Sequence, residues 1–262
     1  MHHYDLFEPI QVSPQDLPPM VKPEEAAAKL AALLASKADC GAWQIADNTY
    51  AAMGRDARQP ILFAGSLAAH VCVLGRDLGS EEVLLGEPLV GPSGHRLRRA
   101  LHICLFGSEP DPEDATIRRV LPHVLLANTV PYKPVGNRPF SRRVREAVRP
   151  VMEAFLRRVW QGHVVVTLGS EAFHWFEPYC PPGVLRSFWA RPDRFEALLE
   201  CSLASGGMGR GKVKPIVLAP LPHPSPRNRK YFWEFEDLVA RRWEQAKAIA
   251  AQADEHPQAD GP

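Results

Sequence analysis

Three short segments of this 262-residue chain carry side chains able to do chemistry. The first is Gly75-Arg76-Asp77-Leu78-Gly79-Ser80, a carboxylate set between glycines. Glycine permits a tight turn and lets a ligand approach the backbone. Gly75, Arg76, Leu78 and Gly79 are therefore candidate substrate contacts, with Asp77 at the mouth of a pocket. A carboxylate there can orient or deprotonate water, or stabilise developing positive charge. The second segment opens with Asn128, whose carboxamide offers one acceptor and two donors and so can read a pyrimidine edge that presents both N–H and C=O. The third is His223-Pro224-Ser225-Pro226-Arg227-Asn228. Its prolines stiffen a loop that can present an imidazole to an oxygen gaining negative charge, with Arg227 free to enter a duplex or meet phosphate. Taken singly, each has an ordinary reading: Asp77 as a helix cap, Asn128 as a turn residue, the last segment as a proline-rich turn.

The elements that must position these segments are four short aliphatic runs, at residues 70–74 (HVCVL), 123–127 (HVLLA), 163–168 (HVVVTL) and 215–219 (PIVLA). They lack polar alternation, as expected of strands buried on both faces of a parallel sheet. Helical patterns separate them, at residues 93–106, 141–160 and 170–176, with another over 231–251. Residues 23–38 open with proline and two acids, fill with alanine and leucine, and predict a further helix. Pro150 is expected to start or bend a helix within the second stretch. This alternation predicts an α/β fold, a three-layer α/β/α sandwich around a central four-stranded parallel sheet with right-handed crossovers. In such sheets ligands bind beyond the carboxyl ends of the strands. Each run leads directly into a polar or glycine-rich segment, so the candidate residues converge on one rim.

Length supports one domain, expected over residues 23–252, with an extended N-terminal arm at 1–22 and a disordered tail at 253–262. Residues 206–214 read as a flexible basic loop. The formal net charge of +1 makes any nucleic-acid surface a local patch rather than a polybasic tail. The five cysteines are scattered without a C-x-x-C pair, which argues against a disulfide framework and for a reducing compartment. The start, MHHYDLFEPIQ, has neither the basic residues nor the apolar run of a signal peptide. No stretch approaches the roughly 20 apolar residues needed to span a bilayer. A cytoplasmic, monomeric protein with no membrane role is the expectation.

Taken in order, these segments resemble the uracil-DNA glycosylase superfamily over residues 40–233. GEPLVGPSGHRLRRAL (residues 86–101) resembles the G-x-P-F-V-G-x-x-G element of the iron–sulfur, family-four enzymes. NTVPYKPVGNRP (128–139) resembles their N-V-V-x-x-R-P-P-x-N-R segment, and VREAVRPVMEAFL the helix after it. VVVTLGSEAF resembles their V-x-A-L-G-x-x-A strand–helix turn, and HPSPRN is closer to the single-strand-selective monofunctional enzymes. The resemblance implies a base-flipping hydrolase of the N-glycosidic bond in DNA, acting in base excision repair. It assigns Asp77 to the water-activating position of the family-one motif G-Q-D-P-Y-H, Asn128 to reading uracil, and His223 to a hydrogen bond with uracil O2. Arg227 falls in the wedge that replaces the extruded base, and residues 88–94 match a loop lining the base pocket. Ser93, Lys133, Ser225, Pro226 and Asn228 join Arg227 as candidate DNA contacts.

The chain departs from these patterns. Family-four enzymes carry glutamate where Arg76 stands, so the acid sits at Asp77, with Glu81 and Glu82 as neighbouring alternatives. Leu89 replaces the phenylalanine that stacks on uracil; it can pack against a base but has no π face. Gly79 stands where family-one enzymes exclude the thymine methyl with tyrosine. Of the cluster cysteines only Cys40 has a counterpart, the others aligning with Trp43, Tyr132 and Val148. One thiolate cannot hold a four-cysteine cluster, so no iron–sulfur centre, other metal or cofactor is expected, and packing is expected to fill that space. Two alternatives stay open: a glycosylase for another base such as hypoxanthine, and a catalytically weak DNA- or abasic-site-binding protein on the same fold. Ordinary readings hold for His70, His123 and His163 as polar residues at strand starts, for Arg142, Arg143 and Arg145 as a solvated helix face, for Phe173, Trp175 and Phe176 as core, and for Tyr231, Phe232 and Trp233 as packing.

Overall fold

The computed structural model describes residues 7–18, 20–204, 213–225 and 228–255. Its frame is a six-stranded sheet in the order β1-β3-β2-β4-β6-β5. The strands are β1 (Phe63–Gly65), β2 (Val71–Gly75), β3 (Leu125–Asn128), β4 (Val164–Leu168), β5 (Leu199–Leu203) and β6 (Lys214–Leu221). The helices are α1 (Pro23–Lys37), α2 (Cys40–Trp43), α3 (Asp47–Ala52), α4 (Ser80–Leu85), α5 (Pro92–Phe106), α6 (Arg142–Ala154), α7 (Gly169–His174), α8 (Val184–Trp189), α9 (Arg229–Phe232) and α10 (Phe235–Glu255). The four expected parallel strands form the centre, β3-β2-β4-β6, and two antiparallel edge strands widen it.

The aliphatic runs are buried on both faces, and period-2 alternation sorts them into two cores. Cys72, Leu74, Leu125, Ala127 and Val165 face one apolar cluster, which takes in Leu30 and Leu34 of α1 and Val148 and Val151 of α6. Val71, Val73, Leu126, Val164 and Val166 face the other, with Leu97 and Leu101 of α5 and Phe235, Leu238 and Val239 of α10. Proline opens α1, with Glu24 and Glu25 in its first turn and Lys37 in its last, each suited to the helix dipole. Ser141 caps α6 by accepting from the Val144 N–H at 3.3 Å. The helix runs through Pro150 and ends in a π turn over Phe155–Val159.

Some expectations change. Residues 7–18, within the arm, pack on the domain: Ile10 and Leu17 are buried and the Ile10 N–H donates to Ala147 O at 2.9 Å. α10 continues past residue 252 to Glu255, since its helical hydrogen bonding persists there; residues 256–262 lie outside the described residues. Most of the basic loop at 206–214 also lies outside them, but Lys214 belongs to β6. Its ammonium is drawn inward to Leu156 O at 2.8 Å, and burial pushes its pKa down to about 7.

The register decides where function can sit. Gly75 pairs with Asn128 at the ends of β2 and β3, while β4 ends at Leu168 beside Leu221. Parallel pairing then continues beyond the strands. Thr129 N–H donates to Gly75 O at 2.9 Å, Val130 N–H to Arg76 O at 3.1 Å and Leu78 N–H to Tyr132 O at 3.1 Å. The two loops are thereby tied into one rim. Consecutive strands β3 and β4 lie on opposite sides of β2, and the rim lies at this switch point.

Candidate active site

A cleft of 420 Å³ opens at this rim. Its lining includes Gly75, Arg76, Asp77, Leu78, Gly79, Leu89, Ser93, Asn128 and His223, which come from four separate loops. Asn128 is the residue of this lining whose bonding is least complete. It is fully buried, yet neither its Nδ2 nor its Oδ1 meets a hydrogen-bond partner among the described residues. Gly75 makes room for it: a Cβ at that position would stand 2.3 Å from Asn128 Oδ1 and 2.9 Å from Leu89 Cδ2. Leu89 thus packs beside the carboxamide, where it can touch a planar ligand only with aliphatic surface.

Asp77 is nearly enclosed, its side chain 8% exposed, and its Oδ2 accepts from Arg76 Nε at 2.8 Å. Burial pushes its carboxyl above the usual carboxylate range; the hydrogen bond and charge of Arg76, then the charge of Lys133, oppose that rise. His223 stands across the cleft at its solvent-open edge. Desolvation, followed by the Arg76 charge, holds its pKa below the ordinary histidine value and so favours the neutral ring. A neutral imidazole can donate one hydrogen bond to an oxygen that is gaining charge. Arg76 acts on both groups: its hydrogen bond and charge oppose the rise at Asp77, and its charge adds to the fall at His223.

The loop carrying Leu89 is held by two buried charges. Glu82 accepts from the backbone N–H groups of Gly79 at 2.9 Å, Val90 at 3.2 Å and Gly91 at 2.8 Å. Arg98 donates to Leu89 O at 2.8 Å, Pro88 O at 2.9 Å and Thr116 O at 2.6 Å. Glu82 is therefore engaged as a brace and is not free to act as a base, while Glu81 is exposed on the cleft rim. Leu89 itself has φ +53°, a conformation costing a non-glycine residue about 1–2 kcal/mol. Gly94 allows the loop to close, since a Cβ there would lie 2.1 Å from the Leu89 carbonyl carbon.

Lys133 does not reach a phosphate-facing surface. It is 4% exposed, and its ammonium donates to Asn137 Oδ1 at 2.7 Å and Pro134 O at 3.2 Å. The continued pairing of its segment with the Asp77 loop draws it inward. Ser225 and Asn228 line a neighbouring cavity rather than the cleft, and Pro226 and Arg227 lie outside the described residues. Asn137, Glu82 and Arg98 had no role in the sequence reading beyond Glu82 as an alternative acid. A buried arginine or glutamate leaves no mark in sequence until its carbonyl or N–H partners are known. Trp233 is 84% exposed and meets Phe232 edge-on with centroids 5.2 Å apart, whereas Phe173, Trp175 and Phe176 are core. His70 and His163 lie at the starts of β2 and β4, the end of the sheet away from the cleft.

A family model described as the uracil DNA glycosylase superfamily matches residues 63–247. The chain belongs to the uracil DNA glycosylase superfamily. Its six-stranded α/β architecture fits that membership, and superfamily members are glycosylases that act on DNA. No match was found among curated proteins. No helix among the described residues is long and apolar enough to cross a membrane.

The residues at the family-four cluster positions do not fit such a centre. Cys40 is half-buried, while Trp43 and Tyr132 meet edge to face with centroids 6.0 Å apart and Val148 is fully buried. Tyr132 OH donates to Arg58 O at 3.0 Å. One thiol among two rings and a valine lacks the donors a four-cysteine cluster requires. Among the described residues, no three potential metal ligands lie together.

Proposed function

We propose that this protein is a monofunctional glycosylase that flips uracil, or a pyrimidine with the same hydrogen-bonding edge, out of DNA and hydrolyses its N-glycosidic bond. The observation that carries this reading is Asn128: a fully buried carboxamide with both polar atoms unpartnered among the described residues, lining a cleft shared by Asp77 and His223. Leaving buried polar groups unpaired costs about 1–3 kcal/mol each, so such a residue in a cleft is suited to a ligand that completes its pairing. Uracil offers an acceptor and a donor side by side, which a carboxamide can match.

As the bond to the sugar breaks, positive charge develops on the sugar and negative charge on the base. Asp77 is suited to stabilise the first and to orient the attacking water, and neutral His223 to donate to base O2. Neither step calls for a metal or a lysine Schiff base; the Lys133 amine is engaged with Asn137 and Pro134. Leu89 supplies no π face and Gly79 no bulk against a 5-methyl group, which favours a wider choice of base as the second reading. The test is base release from single-stranded and duplex oligonucleotides containing uracil, hypoxanthine or an oxidised pyrimidine, with wild type compared to Asp77→Ala and His223→Ala. Uracil release lost in both variants supports the proposal. Release of another base alone supports the second reading, and no release from any substrate refutes the glycosylase assignment.

A further inference from the structure

Behind His223 lies a second cavity, of 720 Å³, which shares Arg76, Asn137 and His223 with the catalytic cleft. Trp189, Phe195 and Tyr231 supply its aromatic wall. Phe195 meets Tyr231 edge-on at 4.8 Å between centroids and Trp189 at 5.8 Å. The Arg194 guanidinium carbon lies 4.7 Å from the Phe195 centroid and 5.7 Å from those of Trp189 and Tyr231. One guanidinium nitrogen donates to Tyr231 OH at 3.0 Å, while the buried Nε has no hydrogen-bond partner among the described residues. Among the described residues, the cavity wall contains Arg76, which is paired with Asp77, and Arg194, and no carboxylate. This differs from the adjacent hollow along α6, where Glu146, Glu171 and Glu177 offset the arginines.

Aromatic faces beside an uncompensated guanidinium suit a planar ring attached to an anion. Ring faces bind nucleobases without regard to sequence, and arginine meets both phosphates and π systems. Continuity with the cleft across His223 puts that ligand on the same strand as the extruded base. Resting on the glycosylase reading above, we propose that this cavity is a second nucleotide subsite, which holds a base adjacent to the flipped one against Trp189 and Tyr231. Substrate recognition then depends on an unstacked neighbour, which single strands present more readily than duplexes.

The test uses single-stranded heptanucleotides with central uracil, in which the 5′ or the 3′ neighbour keeps its phosphate but lacks its base. Wild type is expected to lose about tenfold in kcat/KM, mainly through KM, when the neighbour on one side is stripped. Trp189→Ala should show the same loss on the intact heptamer and no further loss on the stripped one. Trp189→Phe, which keeps a ring, should restore most of the binding and so excludes misfolding as the cause. A second arm needs no activity: a uracil-free thymidine trinucleotide should quench wild-type tryptophan fluorescence more strongly than that of Trp189→Phe. Uracil release indifferent to both stripped neighbours overturns the subsite and leaves the glycosylase reading intact. No release together with Trp189-dependent quenching sinks the glycosylase reading and keeps the subsite. Silence in both arms overturns the subsite as well.

Discussion

Replacing Asn128 with leucine should make this protein more stable and nearly inactive. The side chain is fully buried, and neither carboxamide atom has a protein partner among the described residues. Leucine has similar volume, so the substitution exchanges two unpaired polar atoms for methyl groups without opening a cavity. Each unsatisfied buried group costs about 1–3 kcal/mol, and the different shape of leucine offsets part of the recovery, so a net gain of about 1–3 kcal/mol is expected. At this chain length each kcal/mol moves Tm by about 2–4 °C. Loss of one preorganised polar contact typically costs about 10²–10³ in kcat, and loss of base reading should reach at least that. Thr167→Val is the control. Its Oγ1 is likewise buried and unpartnered among the described residues, but it lies outside the cleft lining, so the variant should gain about 1 kcal/mol with unchanged base release. Thermal unfolding and oligonucleotide cleavage on the same preparations decide the matter. If Asn128→Leu lowers Tm, or keeps base release within tenfold of wild type, the carboxamide is a structural residue and the reasoning fails.

Arg76→Met should move the acid limb of kcat/KM to higher pH, because the Arg76 hydrogen bond and charge oppose the burial that raises Asp77; the same loss of charge should raise the His223 pKa, and both are readable by a pH–rate series and imidazole NMR. Asp77→Asn should raise stability at neutral pH. A carboxyl whose folded pKa is raised contributes stability that is complete below the unfolded carboxylate range and lost as pH rises through the folded pKa, so urea midpoints at pH 4 and pH 8 should differ less in the variant. Glu82→Ala strands three backbone N–H groups around the Leu89 loop and should cost roughly 3 kcal/mol or more, with a raised KM; an unchanged urea midpoint would contradict the brace. Trp43→Ala should cost about 3–5 kcal/mol as a core truncation, while a chelator should leave wild-type Tm unchanged and purified protein should carry no stoichiometric iron.

The central sheet was legible because strands buried on both faces leave continuous aliphatic runs, and four such runs have no helical explanation. The edge strands were less visible for two different reasons. β1 has only three residues, too short for any period to show. β5 does alternate, with Leu199, Cys201 and Leu203 turned inward, but a search for continuous runs passes over a half-exposed strand. At the site, Gly75, Asp77, Asn128 and His223 could be named because each ends or follows a strand in a short motif. Lys133 misled because a lysine in a proline-rich loop reads as exposed, whereas its ammonium is held by Asn137 and feels the charge of Asp77. The α4 helix also escaped notice, since its first turn, Ser80-Glu81-Glu82, reads as loop chemistry until Glu82 is seen folding back on Gly79.

The distribution of strain follows from what the cleft has to do. Asn128 is unpaired, Asp77 is buried against its preference for water, and Leu89 and Asn137 hold φ values of +53° and +56°. All four line the one cleft. Unfavourable features gathered at one site persist only when surrounding contacts over-determine them. Here those contacts are identifiable: Glu82 on the N–H groups of residues 79, 90 and 91, Arg98 on the carbonyls of residues 88 and 89, and Lys133 on Asn137. Each brace is buried and charged, and its hydrogen bonds go to the loops rather than to a ligand, so a brace variant should lose stability and substrate affinity together. A cleft variant such as Asn128→Leu should separate them, gaining stability as it loses chemistry. That opposite sign distinguishes a residue kept for function from one kept for folding.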